Sequence, residues 1–189
     1  MTFRCFGTGD PLYEAYHDTE WGVPPEPTEN ERELFERLSL EAFQSGLAWI
    51  TILRKRPTFR AAFAGFDPAA VAAFDESDVE RLLGDPGIVR NRAKIEATIA
   101  NARALVAMHE RGEQLADVFE ANRPAARAAR RAPLEDVPAS TAESIALAKQ
   151  LKKLGFRFVG PTTAYASMQA LGYVDDHLAG CLAVAAGGD

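Results

Sequence analysis

Helix-start signals recur from one end of the chain to the other, and a chain punctuated in this way must bury helix against helix. Thr28-Glu29-Asn30-Glu31 reads as a capping box, in which a hydroxyl accepts a first-turn amide while the glutamate reaches back to the cap. Apolar residues follow at helical spacing: Leu34, Phe35, Leu38 and Phe43. Asp67-Pro68 reads as an N-cap with proline at the first helical position, where its missing N–H is harmless. Ser77-Asp78-Val79-Glu80 and Ser140-Thr141-Ala142-Glu143 read as two further capping boxes, and the second helix should stop at Gly155. Asn91 to Arg111 carries Ile95, Ile99, Ala102, Leu105, Val106 and Met108 as one stripe, closed by Gly112. Against these, only Phe156-Arg157-Phe158-Val159 alternates with period two. The expected fold class is all-α.

The chain has 189 residues, enough for a single domain of two packed helical lobes spanning 1–189. With 47% hydrophobic residues it can fill a core. The longest apolar runs, Pro161 to Val174 and Leu178 to Gly188, are broken by polar residues or glycines and are not expected to span a membrane. Met1 to Cys5 has no apolar signal-peptide core, so a cytoplasmic protein is expected. A net charge of −6 argues against a blanket positive field for nucleic acid, but leaves room for local basic patches. Basic residues cluster at Arg54-Lys55-Arg56 with Arg60, at Arg90, Arg92 and Lys94, and at Lys149, Lys152, Lys153 and Arg157. The Arg/Ala/Pro-rich stretch from Arg123 to Pro133 reads as a solvated connector or short surface helix rather than a DNA-contacting arm.

The chain has three histidines and two cysteines, and four of these five lie in two short segments. Cys5 and His17 are near the start; His177 and Cys181 are near the end, four residues apart, which on a helix would put them on one face. Two thiolates and two imidazoles make a natural tetrahedral zinc set, and four protein ligands leave no open position for catalysis. A structural zinc would close a loop of nearly the whole chain. Two buried free thiols are the alternative. His109 reads as a surface residue.

Between Val79–Leu83 and the helix from Asn91 lies Gly84-Asp85-Pro86-Gly87-Ile88-Val89-Arg90. Two helices joined this way suggest a helix-hairpin-helix over about 79–95, whose amides around Gly87 and Val89 would face a phosphate, supported by Arg90, Arg92 or Lys94. An ordinary turn between helices is the alternative.

Five blocks, taken in order, resemble the 3-methyladenine DNA glycosylase I family. They are Asp10 to Pro24; Leu40 to Thr51, through Glu41, Gln44, Gly46, Leu47 and Trp49; Gly87 to Ile95; Lys152 to Gly160; and Asp176 to Cys181. The resemblance implies a helix-hairpin-helix glycosylase fold, with zinc held by Cys5, His17, His177 and Cys181. It implies a base pocket of Tyr16, Trp21, Glu41, Gln44 and Trp49, and a DNA-inserting turn at Gly46-Leu47. The family usually has a tryptophan shortly after the first cysteine; Phe6 stands there and is assigned to the pocket wall. The implied activity is hydrolysis of the N-glycosidic bond of 3-methyladenine in alkylated double-stranded DNA, the first step of base excision repair, by a monomer. Glu41 would be the catalytic carboxylate, accepting hydrogen bonds from the cationic base. A lyase would need a lysine where Asn91 stands, and no Asp lies between Arg90 and Arg111, so a monofunctional enzyme is expected. Two alternatives remain: Glu41 paired with a basic core residue, and a zinc-stapled DNA-binding module without catalysis.

Overall fold

The computed structural model describes residues 3–26, 30–132 and 137–183. Nine α-helices lie within them: α1 (Pro11–Thr19), α2 (Asn30–Gln44), α3 (Trp49–Ala62), α4 (Pro68–Ala72), α5 (Glu76–Gly84), α6 (Arg92–Glu110), α7 (Leu115–Glu120), α8 (Ala142–Lys153) and α9 (Pro161–Ala170). The described residues contain isolated bridges but no extended strand, in line with the all-α expectation. None of these helices is long and apolar enough to cross a membrane.

Most helix ends follow the sequence signals. Asp67 caps α4 by accepting from the Ala70 amide at 2.7 Å. Asn91 caps α6, and Gly112 (φ +75°) follows its end. Gly155 follows α8 in the left-handed region (φ +99°), where a side chain would be strained. Two capping boxes are displaced from their expected register. α5 is capped by Asp75 with Asp78 as its reciprocal partner, because Asp75 accepts both the amide and the hydroxyl of Ser77. α8 is capped by Thr141 with Ser144, one residue beyond the expected pair. Thr28 and Glu29 lie outside the described residues. The Phe156–Val159 alternation forms no strand: Phe158 turns left-handed (φ +57°) and leads into α9.

The core is centred on α2. Leu34, Phe35, Leu38 and Phe43 are fully buried, and a row of rings runs Phe43, Phe59, Phe63, Phe66 with centroids 4.8, 6.2 and 5.5 Å apart. The polar face of α2 is also buried, and it is paired. Arg37 bonds Glu33 and donates to the carbonyls of Val23 (3.2 Å) and Ala170 (2.7 Å), tying α2 to the loop after α1 and to the end of α9. Arg56 bonds Glu36 at 2.6 Å and also Glu20; Arg60 joins Glu36 at 2.9 Å.

Up to residue 132 the Arg/Ala/Pro-rich segment is a connector without helix. Its arginines point inward to the C-terminal segment. Arg127 and Arg131 bond the buried Asp176 at 2.5 and 3.0 Å, and Arg130 reaches Asp175 at 3.1 Å. Tyr165 Oη and Gln169 Nε2 also donate to Asp176, at 2.5 and 2.8 Å. Parallel bridges Phe3–Cys181 and Arg131–Leu178 complete this clasp.

Candidate active site and metal centre

His17 closes the last turn of α1, whereas His177 and Cys181 lie in an irregular turn. The spacing of His177 and Cys181 is thus not that of a helix face: Asp175 accepts the His177 amide at 2.9 Å, and backbone bridges flank the segment at Leu178 and Cys181. The ligand geometry survives. The donor atoms of Cys5, His17, His177 and Cys181 all lie within 4.8 Å of one another, a group that could hold a metal ion. Cys181 Sγ is 3.3 Å from His17 Nε2 and 3.5 Å from His177 Nδ1, and Cys5 Sγ is 3.9 Å from His177 Nδ1. Tetrahedral bonds of about 2.0–2.3 Å set neighbouring donors roughly 3.3–3.8 Å apart, close to these separations. The outer contacts fit as well. His17 Nδ1 faces Asp18 Oδ1 at 2.8 Å and His177 Nε2 faces the Trp21 carbonyl at 3.2 Å, so each ring's proton points away and its lone pair points at the cluster. The Leu178 amide donates to Cys5 Sγ at 3.2 Å.

An aromatic-walled site adjoins this centre. Tyr13 and Tyr16 lie three residues apart on one face of α1, with ring centroids 6.5 Å apart. Trp49 opens α3 and stands 5.4 Å from Tyr16. Phe6 sits between the two sites, 5.0 Å from Tyr13, 4.9 Å edge-on to Trp21 and 4.8 Å from His17. Trp21 packs 4.6 Å from His177, so its ring also touches a metal-centre residue. Tyr13 was not anticipated from the sequence; its spacing from Tyr16 was the available signal.

Glu41, in the last turn of α2, is the site's unusual group. It is 7% exposed and has no hydrogen bond or ion pair among the described residues. Burial pushes its pKa up to about 8. Burial raises the pKa of Tyr13 and of Tyr16, and a charge on Glu41 raises both further. The expected alternative of an ion-paired Glu41 is not what the structure shows: Arg37, Arg56 and Arg60 are held by Glu20, Glu33 and Glu36. Trp49 Nε1 is another buried polar atom without a partner among the described residues. An orphan acceptor and an orphan donor within aromatic walls suit a ligand that supplies the missing bonds. Gln44 has another role: its side-chain nitrogen donates to Leu47 O at 3.0 Å, bracing the turn between α2 and α3.

That turn, residues 45–48, is exposed, with Gly46 left-handed (φ +83°) and the Leu47 side chain in solvent. The connector from α5 to α6 does not offer every group assigned to it. The Gly87 amide already donates to Asp85 Oδ1 at 2.7 Å. Arg92 is held by Glu76, Glu80 and Glu96. Lys94 is buried, with Nζ bonded to the carbonyls of Phe43 and Ser45. Exposed and without a side-chain partner among the described residues is Arg90, and neither its amide nor that of Val89 has an acceptor there.

Phe6, Tyr13, Tyr16, Trp21 and Trp49 form one run of ring contacts beside the Cys/His group of an all-helical chain, and Glu41 is buried with no partner among the described residues. The chain matches the methyladenine glycosylase family over residues 6–184 and belongs to that family. The DNA-3-methyladenine glycosylase 1 of Escherichia coli (strain K12) is 50% identical over 182 residues, 94% of this chain and 95% of its own. A crystal structure of 3-methyladenine DNA glycosylase I matches with TM-score 0.89 and 51% identity, covering 95% of this chain and 98% of the other. A variant of 3-methyladenine DNA glycosylase I solved in complex with 3-methyladenine matches at TM-score 0.87 and 32% identity, covering 96% and 97%.

Proposed function

We propose that this chain is a monofunctional DNA glycosylase that hydrolyses the N-glycosidic bond of 3-methyladenine in alkylated DNA. The observation that carries the reading is Glu41, a buried carboxyl without a hydrogen-bond or ion-pair partner among the described residues, on a chain whose Trp49 Nε1 is likewise buried and unpaired among them.

Methylation at N3 leaves adenine with a delocalised positive charge and a weakened bond to the sugar. The leaving group is already good, so the protein needs mainly to select and hold it. Nucleotide flipping brings the base into the pocket. Tyr16, Trp49, Trp21 and Phe6 supply aromatic faces and edges, each good cation–π contact contributing about 1–2 kcal/mol. Glu41 is protonated in the free protein at neutral pH, since its pKa lies near 8. Entry of a cationic base favours release of that proton to solvent, and the resulting carboxylate accepts hydrogen bonds from the base edge. Neutral adenine offers no charge to offset the cost of a buried carboxylate. Departure of the neutral methylated base leaves the sugar to be captured by water. Asn91 caps α6 where a lyase would carry its lysine, in keeping with a monofunctional reaction.

Cys5, His17, His177 and Cys181 would hold zinc in a closed, structural site that joins the two ends of the fold and takes no part in the chemistry. Arg90 and the amides of Val89 and Arg90 would meet a phosphate at a helix-hairpin-helix, and Gly46-Leu47 would fill the gap left by the flipped nucleotide. The partner is double-stranded DNA, met as a monomer in the cytoplasm.

Single-turnover release of free base from alkylated duplex DNA tests the reading. The wild-type chain should release 3-methyladenine; a binding module would release none. Glu41→Gln should slow excision about ten- to a hundredfold, as expected for loss of one charge-assisted hydrogen bond. Unchanged excision per folded molecule would remove Glu41 from the pocket.

A further inference from the structure

We propose that Lys94 is a positioning residue for nucleotide flipping: its buried ammonium joins the first turn of the hairpin's second helix to the turn at residues 45–48, so that the phosphate anchor and Leu47 move as one body. The inference rests on the reading that the 45–48 turn enters the DNA.

Helix C-termini leave carbonyls without intrahelical partners and carry partial negative charge, which a cation in the last turn usually meets. α2 has no basic residue in its last turn. The cation comes instead from α6. Lys94 Nζ lies 2.9 Å from Phe43 O and 2.8 Å from Ser45 O, and it has no carboxylate partner among the described residues. The other end of the same residue is fixed in the hairpin: its amide donates to Asn91 Oδ1, the cap of α6, at 3.1 Å. Its carbonyl accepts from the buried Thr98 hydroxyl at 3.0 Å. One side chain therefore spans from the hairpin to both sides of Gln44, whose own amide and carbonyl contacts close the turn on Leu47. A buried ammonium is costly to desolvate, and an apolar residue would fill the same space more cheaply. What the ammonium adds is a directional link to two named carbonyls.

The distinguishing measurement compares a methylated single strand with the same strand annealed to its complement without heating, because a single-stranded base leaves no stacked gap to fill. Lys94→Met, which keeps the stem and removes the donors, should slow single-turnover release of 3-methyladenine from duplex at least tenfold and from single strands less than threefold. Binding of free 3-methyladenine should stay within twofold. In a Leu47→Ala background, Lys94→Met should cost less than threefold more on duplex, because both act on one turn. Equal slowing on both substrates, or full additivity with Leu47→Ala, would overturn the proposal. Should the methionine variant not fold, Lys94→Gln, a shorter neutral donor, should show the same loss of duplex relative to single-strand activity; an unchanged ratio overturns it. If Leu47→Ala leaves duplex excision unaltered, the insertion reading itself fails; if Leu47→Ala slows it and neither Lys94 variant does, Lys94 alone is misassigned.

Discussion

At the scale of single residues, the decisive fact about Glu41 is that it is buried without a hydrogen-bond or ion-pair partner among the described residues. Glu20, Glu33 and Glu36 take up Arg37, Arg56 and Arg60, and Glu41 is left in aromatic surroundings. A buried acid of this kind acts on stability with a definite sign. Its folded pKa, about 8, lies above its ordinary value of 4.5. Between those values the unfolded chain has lost the proton that the folded chain keeps, so stability falls as pH rises through this window. Glu41→Gln removes that penalty. The variant should melt at the same temperature as the wild type below the lower value and increasingly above it toward the upper one, in thermal scans across the range. An unchanged difference over the whole window would mean that the carboxyl is ionised or solvated in the free protein. Legibility at this scale was uneven. Tyr16, Trp49 and Glu41 were visible as a motif, but the isolation of Glu41 depends on arginines that α2 and α3 bring together only in the fold. Lys94 was read as a surface cation because its spacing from Arg90 and Arg92 resembles a patch; its position three residues past the Asn91 cap turns it inward instead.

At the scale of elements, the hairpin separates into parts that can touch DNA and parts that hold shape. Arg90→Ala should weaken binding to duplex of any sequence and reduce the salt dependence by about one counterion. It should leave the identity of the released base unchanged, which base analysis can check. Gly87→Asp is a poorer probe. A Cβ at Gly87 would lie 2.9 Å from Asp85 Oδ1 and 3.0 Å from Thr58 Cβ, so the change should lower the melting temperature along with DNA affinity. Helix identity was legible where a cap or an apolar stripe marked it, at α2, α4, α5, α6 and α8, whereas α1, α3, α7 and α9 carry no helix signal singled out in the sequence. Register was less so, because neighbouring caps compete. Asp75 precedes Ser77 and outbids it as an acceptor, and Thr141 prefers Ser144 over the glutamate beside it. The four-residue spacing of His177 and Cys181 is compatible with a helix face, but long-range contacts with Phe3 and Arg131, invisible to any local pattern, set the course of the segment.

At the scale of the molecule, two fastenings hold the C-terminal segment: the Cys/His cluster and the arginines converging on Asp176. If the cluster holds zinc as proposed, protein purified without chelator should contain one zinc per chain by elemental analysis. A cross-link of this kind is worth on the order of 2–4 kcal/mol, and a domain of this size shifts by about 2–4 °C per kcal/mol. Cys181→Ala should therefore lower the melting temperature by roughly 4–16 °C while leaving single-turnover excision by the folded fraction near normal. The same long closure has a consequence for biosynthesis. His17 and Cys181 stand 164 residues apart, and a ribosome adding about 5–20 residues per second takes roughly 8–33 s between them. Throughout that interval the nascent chain carries only Cys5 and His17 of the four residues, so a metal held by all four could fix the contacts of Phe6 and Trp21 only after translation has passed the last ligand.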